Sequence, residues 1–462
     1  MSAATRRSLH DALAGLVGRE AMRDPHEAHW GQDASVAHGV RGAPDAVVAP
    51  ARAEQVAEIV AYCYERGLAV IPRGGGTGYA GGCVPIDGGV VLALERLEAV
   101  RSFEPERWRM WVEAGARTSQ VRRRARENGL LFAPDPGAAE QSQIGGNIAT
   151  NAGGPHAFKY GATGRWVTGL EVVLAPGELV QVGGPVRKDV AGYDLRSLLV
   201  GSEGTLGVIT AAWLRLEPAP EAELPVLAFY ADAEAGGQAI LDVMAAGVPA
   251  AAVEFLDAGA LAAGGASLPD GVPPGAGFLV VAEADGSVEE AARVRGELVE
   301  ALSPGALAAV RAPADRAGAR ALWRWRDGVS LAVSAQRGGK LSEDIAVPVE
   351  RLADAVTGTL EIGARHRLQA CSWGHAGDGN VHATLLLDPA DADQRRRAEA
   401  AAADLLGMAV SLGGTISGEH GLGWIKRGQL HRQWSQAAVG AHRSIKRALD
   451  PKGLLNPGKK EP

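Results

Sequence analysis

The string Pro72-Arg-Gly-Gly-Gly-Thr-Gly-Tyr-Ala-Gly-Gly82 constrains this chain more than any other, because six of its eleven residues lack a side chain. One register spells Gly76-x-Gly78-x-x-Gly81, the phosphate-binding fingerprint of a Rossmann βαβ unit. That fingerprint needs a helix directly after the glycines, since the helix N-terminus carries the pyrophosphate. Here Gly82-Cys-Val-Pro-Ile-Asp-Gly-Gly89 follows, which forms turns, and then an apolar strand over 90–94. The Rossmann reading fails on context, and the Lys-Ser/Thr of a P-loop is missing too. What remains is either a flexible surface loop or a nest of backbone N–H groups able to surround a diphosphate. A strand at 68–72 running straight into the loop, with Arg73 and Thr77 inside it, favours the nest.

Around this loop the pattern alternates. Strands are expected at 46–50, 90–94 and 110–112, and helices at 54–66 (stopped by Gly67) and 120–128 (stopped by Gly129). Such alternation argues for an α+β or α/β domain. Glu217-Pro-Ala-Pro-Glu-Ala-Glu resembles a boundary, after which a strand at 224–229 and alanine-rich helices at 289–303 and 392–411 are expected. The net charge of −7 points to neither nucleic acid nor an anionic membrane as partner. No apolar run reaches membrane-spanning length. Arg6-Arg7 invites a twin-arginine export reading, but Asp11, Arg19 and Glu20 with Leu9, Leu13 and Leu16 make 8–21 an amphipathic helix instead. Three scattered cysteines (Cys63, Cys83, Cys371) form neither a disulfide framework nor a metal motif, so a cytosolic location is expected.

Two further stretches carry loops of the same kind. Ser142-Gln-Ile-Gly-Gly-Asn-Ile-Ala-Thr-Asn-Ala-Gly-Gly154 mixes glycines with polar donors and acceptors, and Leu199-Val-Gly-Ser-Glu-Gly-Thr-Leu-Gly-Val-Ile-Thr210 ends in a β-branched strand. Together with Arg187-Lys-Asp-Val-Ala-Gly-Tyr-Asp-Leu-Arg196, they resemble the FAD-binding domain of the vanillyl-alcohol-oxidase, or PCMH-type, flavoprotein superfamily. The C-terminal half resembles the FAD-linked oxidase C-terminal domain of D-lactate, D-2-hydroxyglutarate and glycolate dehydrogenases. Its marks are Trp373-Gly-His-Ala-Gly-Asp-Gly-Asn-Val-His382, Ser417-Gly-Glu-His-Gly-Leu-Gly423 and Leu449-Asp-Pro-Lys-Gly-Leu-Leu-Asn-Pro-Gly458.

The resemblance implies an α+β fold: an N-terminal helical segment (1–41), a PCMH-type FAD domain of two α/β subdomains (42–219) and a C-terminal α+β substrate or cap domain (220–458). It implies FAD with its pyrophosphate on Arg73, Gly74, Gly75, Gly76, Thr77 and Gly78. Flavin and adenosine would lie among Pro134, Gly145, Gly146, Asn147, Thr150, Gly153, Glu203, Gly207 and Ile209. Many relatives attach FAD through a histidine where this chain has Thr77, so non-covalent FAD is expected.

A second site is legible from residue chemistry. His375 and His382 flank a Gly-Asp-Gly turn. Their spacing of seven would put them on opposite faces of a straight strand, but the turn can fold both imidazoles together. With Glu419 they make two histidines and a carboxylate, a set that leaves coordination positions open as catalytic zinc sites do. The residues alone also admit a polar pocket without metal. The resemblance favours a divalent ion, with zinc the expected one.

On that basis the chain is expected to oxidise a D-2-hydroxy acid (D-lactate, D-2-hydroxyglutarate, glycolate or similar) to the 2-oxo acid by metal-assisted hydride transfer to flavin N5. His420, next to Glu419, is the expected general base. Arg326 is the expected partner of the substrate carboxylate; a surface ion pair is the alternative, and Arg324 a competitor. Ser330, Lys340 and Thr384 complete the substrate set. Thr384 replaces an asparagine of the D-2-hydroxyglutarate branch, so the exact acid stays open. Electrons leave to an acceptor protein or a quinone. The alternative is a flavin-bearing subunit of a multi-subunit glycolate-oxidase-type complex, and a homodimer is left open as well.

Overall fold

The computed structural model describes residues 3–462, and two compact units divide the chain. The first takes the described residues up to 153, with 162–218 and 420–462; the second takes 154–161 and 219–419.

In the first unit a small sheet orders Met22–Arg23, Ala46–Val48, Val90–Ala93 and Val70–Arg73, the last three parallel. Helix Ala53–Glu65 covers it with Val56, Ile59, Val60 and Cys63, all fully buried at the spacing the sequence predicts. The N-terminal helix runs Ala3–Val17 rather than 8–21, because Gly18 turns to φ +92 and ends it. Of the three leucines read as its apolar stripe, Leu9 and Leu13 are buried and Leu16 is exposed. A second sheet, wholly antiparallel, orders Val100–Glu104, Arg109–Glu113, Val208–Arg215, Val167–Leu174 and Glu178–Gly183. The C-terminal segment returns to this unit: Val70 N–H donates to Leu454 O, and Asn456 N–H donates to Val70 O.

The second unit is built on one six-stranded antiparallel sheet. Its order is Ala222–Tyr230, Phe278–Gly286, Ala252–Asp257, Gln369–His375, Asn380–Leu387 and Gly339–Ala346. Residues directly opposite in an antiparallel ladder share a face, and alternate residues along a strand return to it. The pairs Glu254↔His375, Trp373↔His382, Asp344↔His382 and Cys371↔Thr384 therefore place all of these side chains on one face. Helix Arg316–Ala335 packs on that face through Leu322, Trp325, Val329 and Val333, against Leu227, Phe229, Leu256, Leu279 and Val281. Among the described residues no helix is long and apolar enough to cross a membrane.

The hairpin joining Gln369–His375 to Asn380–Leu387 depends on Gly379, which sits at φ +65 where a Cβ would lie 1.9 Å from Val347 O. A side chain there meets both left-handed strain and backbone overlap. Gly379→Ala is expected to lower unfolding stability by about 1–3 kcal/mol, measured by denaturant titration with the first unit as internal control.

Candidate active site

The glycine loop leaves strand Val70–Arg73 and is followed by turns, with no helix between it and Val90–Ala93. The Rossmann exclusion thus matches the observed geometry. A Cβ on Gly75 would lie 2.2 Å from Gln141 O, so the first loop packs backbone to backbone on the second. The second stretch is not a pure loop: Ile144–Thr150 is a short helix, ended by Asn151 in the left-handed region at φ 53. Asn147 is buried there and donates from Nδ2 to Thr118 Oγ1 at 2.6 Å.

The charged residues of these loops face inward. Arg73 is buried beneath Gly76, donating to Gln32 O at 2.9 Å and to Cys83 Sγ at 3.1 Å. Glu203 is buried with φ +55 and accepts from the amides of Leu422 (3.0 Å) and Gly423 (2.7 Å) and from Lys460 Nζ (3.2 Å). Asn456 donates to both Gly82 O and Glu203 O at 2.7 Å, joining the first loop to the third. What the first loop offers outward is backbone: Gly75 and Gly78 are exposed, and a Cβ on Gly78 would meet nothing within 4 Å. That arrangement fits a diphosphate held by peptide N–H groups.

Pro134, Gly145, Gly153, Gly207 and Ile209 are buried in the same unit, and Gly146 and Thr150 are half-buried. Gly145 has no room for a side chain, since its Cβ would lie 2.6 Å from that of Ala114. Thr77 is half-buried. His420 lies in this unit, its ring stacked on Tyr79 at 4.7 Å.

In the second unit His375 ends one strand of the hairpin and His382 lies on the other, with ring centroids 5.5 Å apart. Glu419 Oε1 is 3.5 Å from His375 Nε2 and 3.8 Å from His382 Nε2. One ligand atom from each of the three residues falls within 4.8 Å of the others, a donor set suited to a divalent ion. Asp344 positions the Glu419 loop: it accepts from Glu419 N–H at 2.9 Å, Ser417 Oγ at 3.1 Å and Asn380 Nδ2 at 2.7 Å.

Behind His375 stands Glu254, a fully buried residue that sequence reasoning missed. Its Oε1 meets His375 Nδ1 at 2.6 Å, and its Oε2 accepts from Arg326 Nε at 2.7 Å. Burial works against charge on His375, but Glu254 and Glu419 outweigh it and hold the imidazole well above its ordinary range. Arg326 is itself buried, so its pair is internal rather than the surface ion pair weighed from sequence; Arg324 is exposed. The signal for Glu254 is an acid isolated in the apolar run Ala250-Ala-Ala-Val-Glu-Phe-Leu256.

Lys340 Nζ donates to Ser330 O at 2.9 Å and Ser330 Oγ at 2.5 Å, and stands 4.7 Å over the Trp373 ring. Burial pulls Lys340 down to about 8. Thr384 is fully buried, its hydroxyl 2.7 Å from Ser342 Oγ and donating to His382 O. Trp323, Arg326 and Ser330 follow one another on successive turns of helix Arg316–Ala335, bonding in turn to Glu283, Glu254 and Lys340.

The fold is that of the PCMH-type flavoproteins. p-Cresol methylhydroxylase with substrate bound superposes with a TM-score of 0.78 at 17% identity, covering 99% of this chain and 97% of that one. 4-Ethylphenol oxidase from Gulosibacter chungangensis gives 0.78 at 19%, covering 100% and 98%. Residues 44–183 match the FAD binding domain model, and 219–460 match that of the FAD linked oxidases, C-terminal domain. The chain belongs to the FAD-linked oxidase family.

Among its relatives, glycolate oxidase subunit GlcD of Bacillus subtilis is 37% identical over 90% of this chain and 88% of that protein. A probable mitochondrial D-lactate dehydrogenase of Danio rerio is 35% identical over 96% and 88%. The mitochondrial D-2-hydroxyglutarate dehydrogenase of Rattus norvegicus is 34% identical over 92% and 79%.

The Glu203 clamp has a measurable consequence. Glu203→Ala leaves the buried amides of Leu422 and Gly423 without their acceptor, at a cost of about 2–4 kcal/mol. Hydrogen exchange at those two amides is expected to quicken in Glu203→Ala and to change much less in Glu203→Gln.

Proposed function

We propose that the chain oxidises a D-2-hydroxy acid to the corresponding 2-oxo acid, with FAD held non-covalently and a divalent ion, zinc, held by His375, His382 and Glu419. The observation that carries this reading is the convergence of those three donors beside a sheet face that bears Lys340 and is covered by the helix carrying Arg326. The names of the relatives (glycolate, D-lactate, D-2-hydroxyglutarate) support the substrate class. Thr77 within the first loop, where a histidine would be needed for attachment, supports unattached FAD.

When bound, the flavin supplies the two-electron acceptor. A divalent ion on the two imidazoles and Glu419 supplies Lewis acidity toward the α-hydroxyl. The chain's own residues do the rest. Lys340 and Arg326 provide positive charge for the substrate's carboxylate, with Ser330 fixing the Lys340 ammonium. Thr384, locked to Ser342, shapes the wall beside His382. His420, the residue after Glu419 in the chain, takes the hydroxyl proton on its imidazole nitrogen. Three free cysteines support a cytosolic location.

A second reading has one observation in its favour: the Bacillus subtilis relative is named a subunit. In that case electrons pass to a partner protein, whereas the first reading allows a quinone or a dye to accept them. Purified chain that reduces its flavin yet transfers nothing to any small acceptor decides for the subunit.

Anaerobic addition of D-lactate, glycolate, D-2-hydroxyglutarate or D-mandelate is expected to bleach the flavin absorbance with at least one of them, on a sample whose metal content is measured in parallel. Bleaching by none removes the substrate class. Chelation, or His375→Ala, is expected to abolish turnover while FAD stays bound; full turnover in a metal-free sample removes the ion from the reaction. The Lys340 charge also predicts a pH limb. An anion is held only while Lys340 is protonated, so kcat/KM falls as pH rises through about 8. Lys340→Arg, charged throughout that range, is expected to move the limb to higher pH.

A further inference from the structure

Glu254 was not needed for the reading above, yet it occupies the centre of the polar face. It is fully buried, directly opposite His375 in the ladder between Ala252–Asp257 and Gln369–His375. Both of its oxygens are engaged, Oε1 by His375 Nδ1 at 2.6 Å and Oε2 by Arg326 at 2.5–2.7 Å. An ionised carboxylate accepts hydrogen bonds and donates none. The imidazole nitrogen facing it must therefore carry the proton. That directs Nε2, the nitrogen 3.5 Å from Glu419 Oε1, toward the other two donors, where a divalent ion would take the place of its proton.

We infer that Glu254 is a positioning residue for a divalent ion: its hydrogen bond to Nδ1 locks the orientation of the His375 ring so that Nε2 faces the ion, while Arg326 engages its other oxygen. The inference rests on the metal reading of His375, His382 and Glu419. It gives Arg326 a second task beside the substrate one, since its Nε and one terminal nitrogen lie against a buried carboxylate. Carboxylates placed behind ligating histidines act this way in general, and their loss weakens metal affinity by about 10–100-fold.

Glu254→Gln alone would leave Arg326 as a buried, unpaired cation, and that strain could unfold the chain. The informative variants are therefore Arg326→Gln and the double variant Glu254→Gln/Arg326→Gln, in which neutral amides replace the pair. Each protein, with FAD retained, is stripped of metal and titrated with Zn²⁺ in competition with a chromophoric chelator. Wild type is expected to bind, and Arg326→Gln to stay within a few-fold of it. The double variant is expected to fall about 10–100-fold below Arg326→Gln. Proton NMR of the Zn²⁺-loaded proteins gives a second readout: a strongly hydrogen-bonded, slowly exchanging His375 Nδ1–H in wild type and Arg326→Gln that is lost in the double variant. Equal affinity and the same Nδ1–H signal in Arg326→Gln and the double variant would overturn the role of Glu254 while leaving the metal reading intact. A wild-type chain that takes up no Zn²⁺ sinks the metal reading and this inference with it.

Discussion

The two histidines of the second unit, and the carboxylates of Glu254 and Asp344 beside them, depend on the parity of one antiparallel sheet. In such a ladder a slip of one residue sends a strand's whole set of side chains to the opposite face. The registers Glu254↔His375, Trp373↔His382 and Asp344↔His382 put two histidines and two supporting carboxylates on the same side. The tight turn at 376–379 fixes the central register, because Gly379 alone permits the chain to reverse there against Val347. Parity also explains why a spacing of seven residues, wrong for a single strand, brings His375 and His382 together: the hairpin reverses direction between them.

The same face carries charge that an apolar core would exclude. Glu283 and Asp285 are almost fully buried on strand Phe278–Gly286, and Glu254 is wholly so. Each has partners from neighbouring elements. His156 and Trp323 meet Glu283, Lys159 and Tyr160 meet Asp285, and Arg326 and His375 meet Glu254. Burying a carboxylate costs several kcal/mol before pairing. Such pairs add little net stability; what they confer is fixed geometry. The segment 154–161, which supplies His156, Lys159 and Tyr160, also sets Phe158 against Gly377 in the turn between the two histidines. Hydrophobic packing by helix Arg316–Ala335 beside this polar layer supplies the stability the layer does not.

Sequence pattern was most informative where chemistry is local. The glycine loop, the strand and helix around it, and the histidine pair all show themselves in short strings, because turn geometry and metal donors need particular residue types close together. The helix Ile144–Thr150 escaped notice since two of its seven residues are glycine, which disfavours helix; tertiary context overrides that preference. Glu254 escaped for another reason. It lies 121 residues from His375, and only strand pairing makes them neighbours. Its trace in the sequence was one acid in an apolar strand, a position where a charge needs a buried partner. Arg326 was visible, but its partner was not, so its engagement with a protein carboxylate had to come from the structure.

The two units also differ in which part of the chain they turn toward a ligand, and the difference follows from their residues. Around the glycine loop the charged side chains are consumed within the protein: Arg73 by Gln32 and Cys83, Glu203 by two amides and Lys460. Peptide groups are left facing outward, and peptide N–H groups suit a diphosphate because they crowd closely without side chains in the way. In the six-stranded sheet the peptide groups are consumed by the ladder, so only side chains remain to do chemistry. Backbone recognition is tolerant of side-chain identity except where glycine is sterically required, as at Gly75. Side-chain recognition is not. The first unit therefore specifies what kind of cofactor the chain takes, whereas on the function proposed above discrimination among hydroxy acids falls to side chains such as Arg326, Ser330, Lys340 and Thr384, where a single substitution alters charge or shape directly.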